Sequence, residues 1–458
     1  MARFVRGADE AATIPNKWFD MTGTRSSADE ISHSSRTRCA RRSARLERVQ
    51  LTDLRTSAAR HSDIDSPYAW VRLAASVALG TIGGVGMWTM PVVLSAVQAE
   101  FGVLRADASL PFTLTMLGFA CGGVVMGRLQ DRFGILAPAL LGIGTLSLGF
   151  FAAAMSPTLW TFALSYLLIG VGGSATFGPI MTDVSFWFAA HRGIAIAIAA
   201  AGNYLAGTIW PPVVQHAVAD AGWRQTHAGI GLACLALMLP LLLLLRRPAP
   251  RNAAARAVTA RSGELDVSPG VLQVLLCIAG LACCVAMAMP QVHLVAYCGD
   301  LGYGVTRGAE MLSLMMAFGI VSRIGSGFIA DRIGGLATLL LGSAAQGLAL
   351  LLYAMFDGMA SLYVISALFG LFQGGIVPSY AFVIREYFPP SEVGTRLGVV
   401  LMMTLFGMAL GGWMSGAVFD YFGSYQAAFL NGLAWNLLNL VIAFGLMTRS
   451  LRRRPALA

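Results

Sequence analysis

Most of this chain carries too few charged side chains to be surrounded by water. Of its 55 Asp, Glu, Lys and Arg residues, 21 lie in residues 1–68, which leaves 34 for the remaining 390 residues. Soluble proteins contain about 25% charged residues, whereas this long segment is under 9% charged. Since a membrane-spanning helix needs about 20 apolar residues, the segment predicts a polytopic helical membrane protein and opposes a soluble enzyme.

Apolar runs between charged and turn residues predict twelve spans, six on each side of a polar segment at 246–268. The predicted spans are 70–98, 109–129, 137–156, 159–184, 193–217, 227–245, 270–298, 308–329, 336–356, 361–384, 397–419 and 425–448. The expected fold class is therefore an all-α membrane protein with twelve transmembrane helices in two six-helix bundles.

The polar segments predict the domain organisation. The Ser- and Arg-rich N-terminus lacks an apolar core and is expected to be disordered. The expected segments are a tail at 1–68, an N-terminal bundle at 69–245, a linker at 246–268, a C-terminal bundle at 269–448 and a basic tail at 449–458.

Basic residues predict the orientation. Fifteen arginines fall in the loops and tail on one side of the predicted membrane, and only Arg105, Arg224 and Arg307 fall on the other. Because cytoplasmic loops carry an excess of Lys and Arg, we expect both termini and the linker to be cytoplasmic. The net charge of +9 is thereby explained by topology, and no nucleic-acid partner is expected.

The two halves repeat with an offset of 200 residues. GRLQDRFG at 127–134 recurs as GFIADRIG at 327–334, and Gly170 corresponds to Gly370. Two six-helix halves in parallel orientation are typical of secondary transporters, whose substrate site lies between the halves near the membrane midplane.

The repeated motif G-x-x-x-D-R-x-G, placed after the second and eighth spans, resembles the signature loop of the major facilitator superfamily. WFAAHRGIAIAIAAAGNYLAG at 187–207, followed by GWRQTHAGIGL at 222–232, is similar to the fifth-span region of the monocarboxylate transporter family, which includes oxalate/formate exchangers. The similarity covers about 70–450. It implies secondary transport of small organic anions by rocker-switch alternating access, coupled by proton symport or anion exchange, in the plasma or bacterial inner membrane.

The resemblance also implies a gate built from the signature loops. Glycines permit tight turns, and the aspartates and arginines form a latch that breaks when the halves move; simple ordering of the loops is the alternative. Asp183 is expected to pair with a loop arginine. The predicted gating residues are Gly127, Asp131, Arg132, Gly134, Gly327, Asp331, Arg332, Gly334, Asp183 and Arg192.

Arg323 is the strongest candidate for a substrate ligand. It lies eight residues before Asp331 in an otherwise apolar span, about 12 Å along the helix axis. A charge at that depth is costly unless it faces a polar cavity or a partner. In the resembled family an arginine four residues before the loop glycine binds the substrate carboxylate, and Arg323 stands four before Gly327. Extension of the side chain to the membrane surface, or pairing with a carboxylate, is the alternative.

Five further residues are weaker candidates for the substrate cavity. His293 is a candidate proton carrier because imidazole titrates near neutral pH, and it is otherwise a hydrogen-bonding core residue. The others are Trp88, Asn203, Gln373 and Tyr380, for which helix packing is an equal alternative.

Two departures from the resembled family concern coupling. Val92 follows Pro91 where several relatives carry a lysine, and Gly319 stands where many carry an acid. Both oppose proton coupling by the usual pair, and the missing lysine opposes binding of a dianion.

The sequence offers no nucleophile–base pair, metal-ligand set or nucleotide motif, so neither an enzyme nor a cofactor is expected. A carrier of another solute and, less well supported, a membrane sensor remain alternatives. Oligomeric state is not predicted.

Overall fold

The computed structural model describes residues 64–189, 191–248, 267–389 and 392–452. The expected disorder of the tail therefore lies outside the described residues except at its end, as does most of the linker. Within these ranges the chain forms fourteen α-helices. They are α1 (Pro67–Gly83), α2 (Val85–Phe101), α3 (Arg105–Phe133), α4 (Leu136–Ala154), α5 (Leu159–Ser174), α6 (Gly178–Trp187), α7 (Arg192–Leu243), α8 (Pro269–Asp300), α9 (Val305–Ile333), α10 (Gly335–Met355), α11 (Met359–Gln373), α12 (Ile376–Tyr387), α13 (Val393–Phe422) and α14 (Tyr425–Arg452).

These helices make twelve membrane spans. The first, fourth and tenth spans are each interrupted, so that α1 and α2, α5 and α6, and α11 and α12 form one span apiece. Conversely, α7 contains the fifth and sixth spans, which meet at Gly222, whose φ of 78° and ψ of 161° are not helical. The predicted fold class, twelve helices in two related halves, is confirmed.

The interruption of the tenth span lies at a close contact between helices. A Cβ at Gly374 would overlap the carbonyl oxygen of Gly319, and one at Gly375 would overlap the Ser326 side chain. The break between α11 and α12 thus lies directly against α9. Small residues permit such close helix approach in membrane proteins.

Residues that are 200 positions apart in the sequence occupy equivalent places in the two halves of the structure. Gly134 and Gly334 end α3 and α9 with φ of 77° and 87°, a region that glycine adopts without steric cost. Gly170 lies against the Thr115 carbonyl, and Gly370 lies against that of Met315. Equivalent residues thus make equivalent contacts in both halves.

The chain enters its first span and leaves its last span on the same side, which we call the termini face; the other side is the opposite face. Between the halves, the second span packs on the eleventh, the fifth on the eighth, and the first on the seventh. Polar and charged side chains that join the two halves lie along or beside these three helix contacts.

We expect Gly370→Ala to destabilise the protein by about 1–3 kcal/mol, because the added methyl group overlaps the Met315 carbonyl and forces α9 and α11 apart. Gly445→Ala is the matched control, since nothing lies within 4 Å of its notional Cβ. Thermal unfolding in detergent measures both variants. Equal unfolding temperatures would contradict the close approach at Gly370.

Candidate functional site

A cluster of side chains from the first, fifth and eighth spans lies where the halves meet. The Trp88 indole N–H donates to the Asn203 carbonyl oxygen at 3.2 Å. The same indole stands 2.8 Å from a notional Cβ at Gly207, and Met316 Cγ of the eighth span stands 2.5 Å from it. Gly207 therefore lets one residue from each of three spans converge.

Arg323 belongs to this cluster. Its side chain is half-buried, and its Cζ atom lies 4.9 Å from the centroid of the Tyr204 ring on the fifth span. Among the described residues, no Asp or Glu oxygen lies within 4.0 Å of this guanidinium. The aromatic ring attracts the cation through its quadrupole while leaving hydrogen-bond donors of the guanidinium for an anion.

Of the predicted residues, Trp88 and Asn203 are in contact, and Arg323 is linked to them through Tyr204, which the sequence pattern did not single out. Its ring carbon Cδ1 lies 2.6 Å from a notional Cβ at Gly319, one turn before Arg323. The ring fills the space beside the position where many members of the resembled family carry an acid. In the sequence, only the position of this aromatic residue directly after Asn203 could have indicated that Tyr204 belongs to the site.

Tyr380 and Gln373 lie in the core of the second half. Tyr380 is fully buried, and its hydroxyl donates to Asn439 Oδ1 on the twelfth span at 3.2 Å. Gln373 is also fully buried and accepts a 2.9 Å bond from Gln291 Nε2 on the seventh span. In this conformation both contacts favour packing between helices over substrate binding.

His293 lies away from the Arg323 cluster, in a network on the opposite face. It is fully buried, with Nε2 at 2.8 Å from the Gly412 carbonyl and Nδ1 at 3.3 Å from the Tyr425 hydroxyl. Because a carbonyl only accepts, Nε2 carries the hydrogen, and in the neutral ring Nδ1 accepts from Tyr425. His293 thus joins the seventh span to the eleventh and twelfth.

Arg105 is the centre of this network. Its guanidinium donates to both carboxylate oxygens of Asp300 at 2.9 and 3.2 Å and to the Tyr425 hydroxyl at 2.5 Å. Its Cζ also lies 4.7 Å from the centroid of the Phe419 ring. Arg105 begins the second span, whereas its three partners belong to the second half, so the network ties the halves together.

Asp420 adds a second tie at the same place. Its two carboxylate oxygens accept from the backbone N–H groups of Arg105 and Ala106 at 2.9 and 2.7 Å. These N–H groups begin α3 and have no partner within that helix, and a helix N-terminus favours negative charge. A carboxylate of the second half therefore caps a helix of the first.

The signature loops on the termini face make fewer contacts. Asp131, Arg132, Asp331 and Arg332 are exposed, and no ion pair joins any of them to another described residue. Arg192 begins α7, but its side chain lies outside the described atoms. Gly134 and Gly334 end their helices with positive φ, and a gating role for the signature loops stays a prediction.

Several glycines near the termini face have free space beside them. Among the described residues, no atom lies within 4 Å of a notional Cβ at five glycines of the second, fifth, eighth and eleventh spans. These glycines are Gly127, Gly193, Gly327, Gly394 and Gly398. The same four spans are in contact nearer the opposite face, where Thr113 donates to the Ala409 carbonyl at 3.0 Å.

The expected pairing of Asp183 with a loop arginine is wrong in this structure. Asp183 accepts from Arg72 Nε at 2.8 Å and from Nη2 at 2.9 Å, and both side chains are almost completely buried. Arg72 also donates to the Arg247 carbonyl at 3.1 Å and lies 4.5 Å from the Trp187 ring centroid. This bidentate pair, which the sequence analysis missed, binds the first span to the fourth within one half.

Comparisons with known proteins place these features in a family. A sequence profile of the Major Facilitator Superfamily matches residues 76–361 and 327–458. Monocarboxylate transporter 13 of Bos taurus is 28% identical over 377 residues, covering 75% of this chain and 86% of that protein. The uncharacterized MFS-type transporter YcxA of Bacillus subtilis is 27% identical over 343 residues, covering 70% and 82%.

Solved structures agree on the fold. A bacterial homologue of the human lysosomal transporter Spinster superposes with a TM-score of 0.64 at 15% identity, covering 86% of this chain and all of that one. The peptide transporter POT gives a TM-score of 0.68 at 13% identity, covering 87% and 98%. From its sequence profile, its repeated halves and its twelve spans, this chain belongs to the Major Facilitator Superfamily of integral, multi-pass membrane transporters.

Proposed function

We propose that the protein is a secondary active transporter of small organic anions, above all monocarboxylates, working by rocker-switch alternating access. One observation carries the proposal: Arg323, deep in the eighth span, meets an aromatic ring of the other half and has no carboxylate partner among the described residues. The similarity to a transporter named for monocarboxylates supports this substrate class.

The chemistry of Arg323 suits a carboxylate. A guanidinium is always charged and presents donors in a planar fork that binds both carboxylate oxygens. Such charge-assisted bonds are roughly twice as strong as neutral ones, and poor solvation between helices strengthens them further. One cation balances one negative charge, which favours a monoanion over a dianion.

The contacts between the halves support an alternating mechanism. In this conformation Arg105, Asp300, Asp420 and Tyr425 join the halves at the opposite face, while the five glycines named above near the termini face have no described atom within 4 Å of a notional Cβ. If the termini face is cytoplasmic, as the arginine distribution predicts, this is the inward-open state of a carrier in the cell membrane. The signature loops would then latch when the inside closes.

Coupling by proton symport or by anion exchange is part of the proposal. His293, the candidate proton carrier, lies in the closed network beside Tyr425. A role for it in coupling would therefore act through closure of the opposite face and would not involve contact with the substrate at Arg323.

We expect Arg323→Ala to lower carboxylate uptake at least about tenfold, because it removes a charge-assisted bidentate contact. Arg323→Lys keeps the charge but loses the fork, so its KM should lie between those of Ala and wild type. Uptake of labelled lactate, pyruvate and acetate into proteoliposomes measures this effect, with glucose as the negative solute.

Arg307→Ala is the matched control, since this exposed arginine lies near the start of the same helix, where it pairs with Glu310 beside Tyr363. Its uptake should equal that of wild type. Undiminished uptake by a folded Arg323→Ala variant would remove the main support for an anion site there.

We expect Arg105→Gln and Asp420→Asn to shift the protein toward opening of its opposite face, because each removes charge-assisted bonds between the halves. Spin labels at the exposed positions Leu104 and Tyr421 report the separation by pulsed electron resonance. Both variants should show a new population at longer distance.

Asp220→Asn is the control for these two variants, because Asp220 is exposed and its carboxylate lies beside His216 of its own helix, away from the network. Its distance distribution should match that of wild type. Unchanged distributions in both network variants would show that the network does not hold the face closed.

A further inference from the structure

The contact between Tyr204 and Arg323 joins two helices from different halves at the proposed anion site. We propose that Tyr204 is the positioning residue of this site: its ring covers one face of the Arg323 guanidinium and leaves the edge with its N–H donors for a planar carboxylate. The inference rests on the proposed function, since it assigns Tyr204 a part in binding the same anion.

The backbone of the eighth span fixes the ring. Tyr204 Cδ1 lies 2.6 Å from a notional Cβ at Gly319, and Cε1 lies closer still. Gly319 is four residues before Arg323, so both lie on one side of α9. A ring held against Gly319 is therefore in position to meet the Arg323 side chain, and any larger residue at 319 would displace it.

The neighbouring turn of the fifth span is fixed as well. Gly207, three residues after Tyr204, lies against the Trp88 indole and Met316 Cγ. The Trp88 N–H is bound to the carbonyl of Asn203, directly before Tyr204. Contacts on both sides restrain the backbone that carries the ring, so the ring can restrain the guanidinium.

This restraint has a consequence for the shape of the ligand. A carboxylate is planar and matches the guanidinium edge with two parallel hydrogen bonds. A sulfonate carries the same charge on a tetrahedral head, so its third oxygen lies out of that plane. With the Tyr204 ring centroid 4.9 Å from the Arg323 Cζ atom, the proposed stacking leaves less room for an out-of-plane oxygen, and we expect carboxylates to bind better than sulfonates of the same size.

The test uses acetate and pyruvate as substrates and methanesulfonate as competitor, in proteoliposomes containing the full chain. The variants are Tyr204→Leu, which removes the aromatic face, Tyr204→Phe, which keeps it, and Gly319→Ala, which displaces the ring without changing it. Tyr421→Leu, at an 83% exposed position, controls for loss of a tyrosine elsewhere. Thermal unfolding of each variant checks the fold.

We expect Tyr204→Leu to raise the KM for acetate about three- to tenfold, the range of a partly desolvated cation–π contact, with Vmax changed less than KM. Its preference for acetate over methanesulfonate should fall by a similar factor. Gly319→Ala should behave like Tyr204→Leu, and Tyr204→Phe should restore both KM and preference.

A purely structural tyrosine would give another result. Tyr204→Leu would then lower the unfolding temperature while KM and the preference stay at wild-type values, which would overturn the inference. If Arg323→Ala abolishes uptake while Tyr204→Leu changes nothing, only the role of Tyr204 fails. If Arg323→Ala transports normally, or wild type takes up neither acid, the proposed anion site fails and this inference with it.

Discussion

A guanidinium packed between membrane helices needs an interaction partner. Three arginines of this protein have such partners, and much of the structure is arranged around them. A charge packed between helices is costly unless it is paired and hydrogen-bonded, so each of these arginines needs compensation. Arg72 has a carboxylate in its own half. Arg105 has a carboxylate in the other half. Arg323 has an aromatic ring in the other half.

These three arginine pairings differ in the movement between the halves that they allow. The Arg72–Asp183 pair stays within the first half, so relative movement of the halves leaves it intact, and it fixes the first span to the fourth. The contacts of Arg105 cross between the halves, so in the proposed mechanism they break when the opposite face opens. In the same proposal, Arg323 keeps donors for an anion that binds and leaves. One partner would be permanent, one switchable and one exchangeable, as the proposed alternating carrier requires.

The fold could be predicted from the sequence because its causes are spread along the chain. Low charge density, twelve apolar runs and a repeat of 200 residues are each visible without knowledge of contacts. The repeat also made Arg323 conspicuous, since its counterpart is Gly123, which has nothing within 4 Å of its notional Cβ. Departure from internal symmetry marked a residue that packing alone does not require.

The partners of the charged groups were harder to predict because they depend on tertiary pairing. Arg72 and Asp183 are 111 residues apart, whereas Arg192 is only nine residues from Asp183, so distance along the sequence does not identify the partner. Tyr204 is inconspicuous in a run of small residues until Gly319 shows where its ring must lie. Tyr380 is a polar aromatic residue of the kind that can line a substrate cavity. Its position on the helix instead directs its hydroxyl toward Asn439.

The positions of the site and the closed network imply how binding is linked to movement. Arg323 lies on the eighth span and touches the fifth, whereas Arg105 lies on the second span and touches the seventh, eleventh and twelfth. Among the described residues, no side chain belongs to both groups. In the proposed mechanism each half moves as a packed unit, so an anion at Arg323 would influence the opposite face by changing how the fifth and eighth spans fit together. Tyr204, the ring that crosses this contact, is where such an influence would begin.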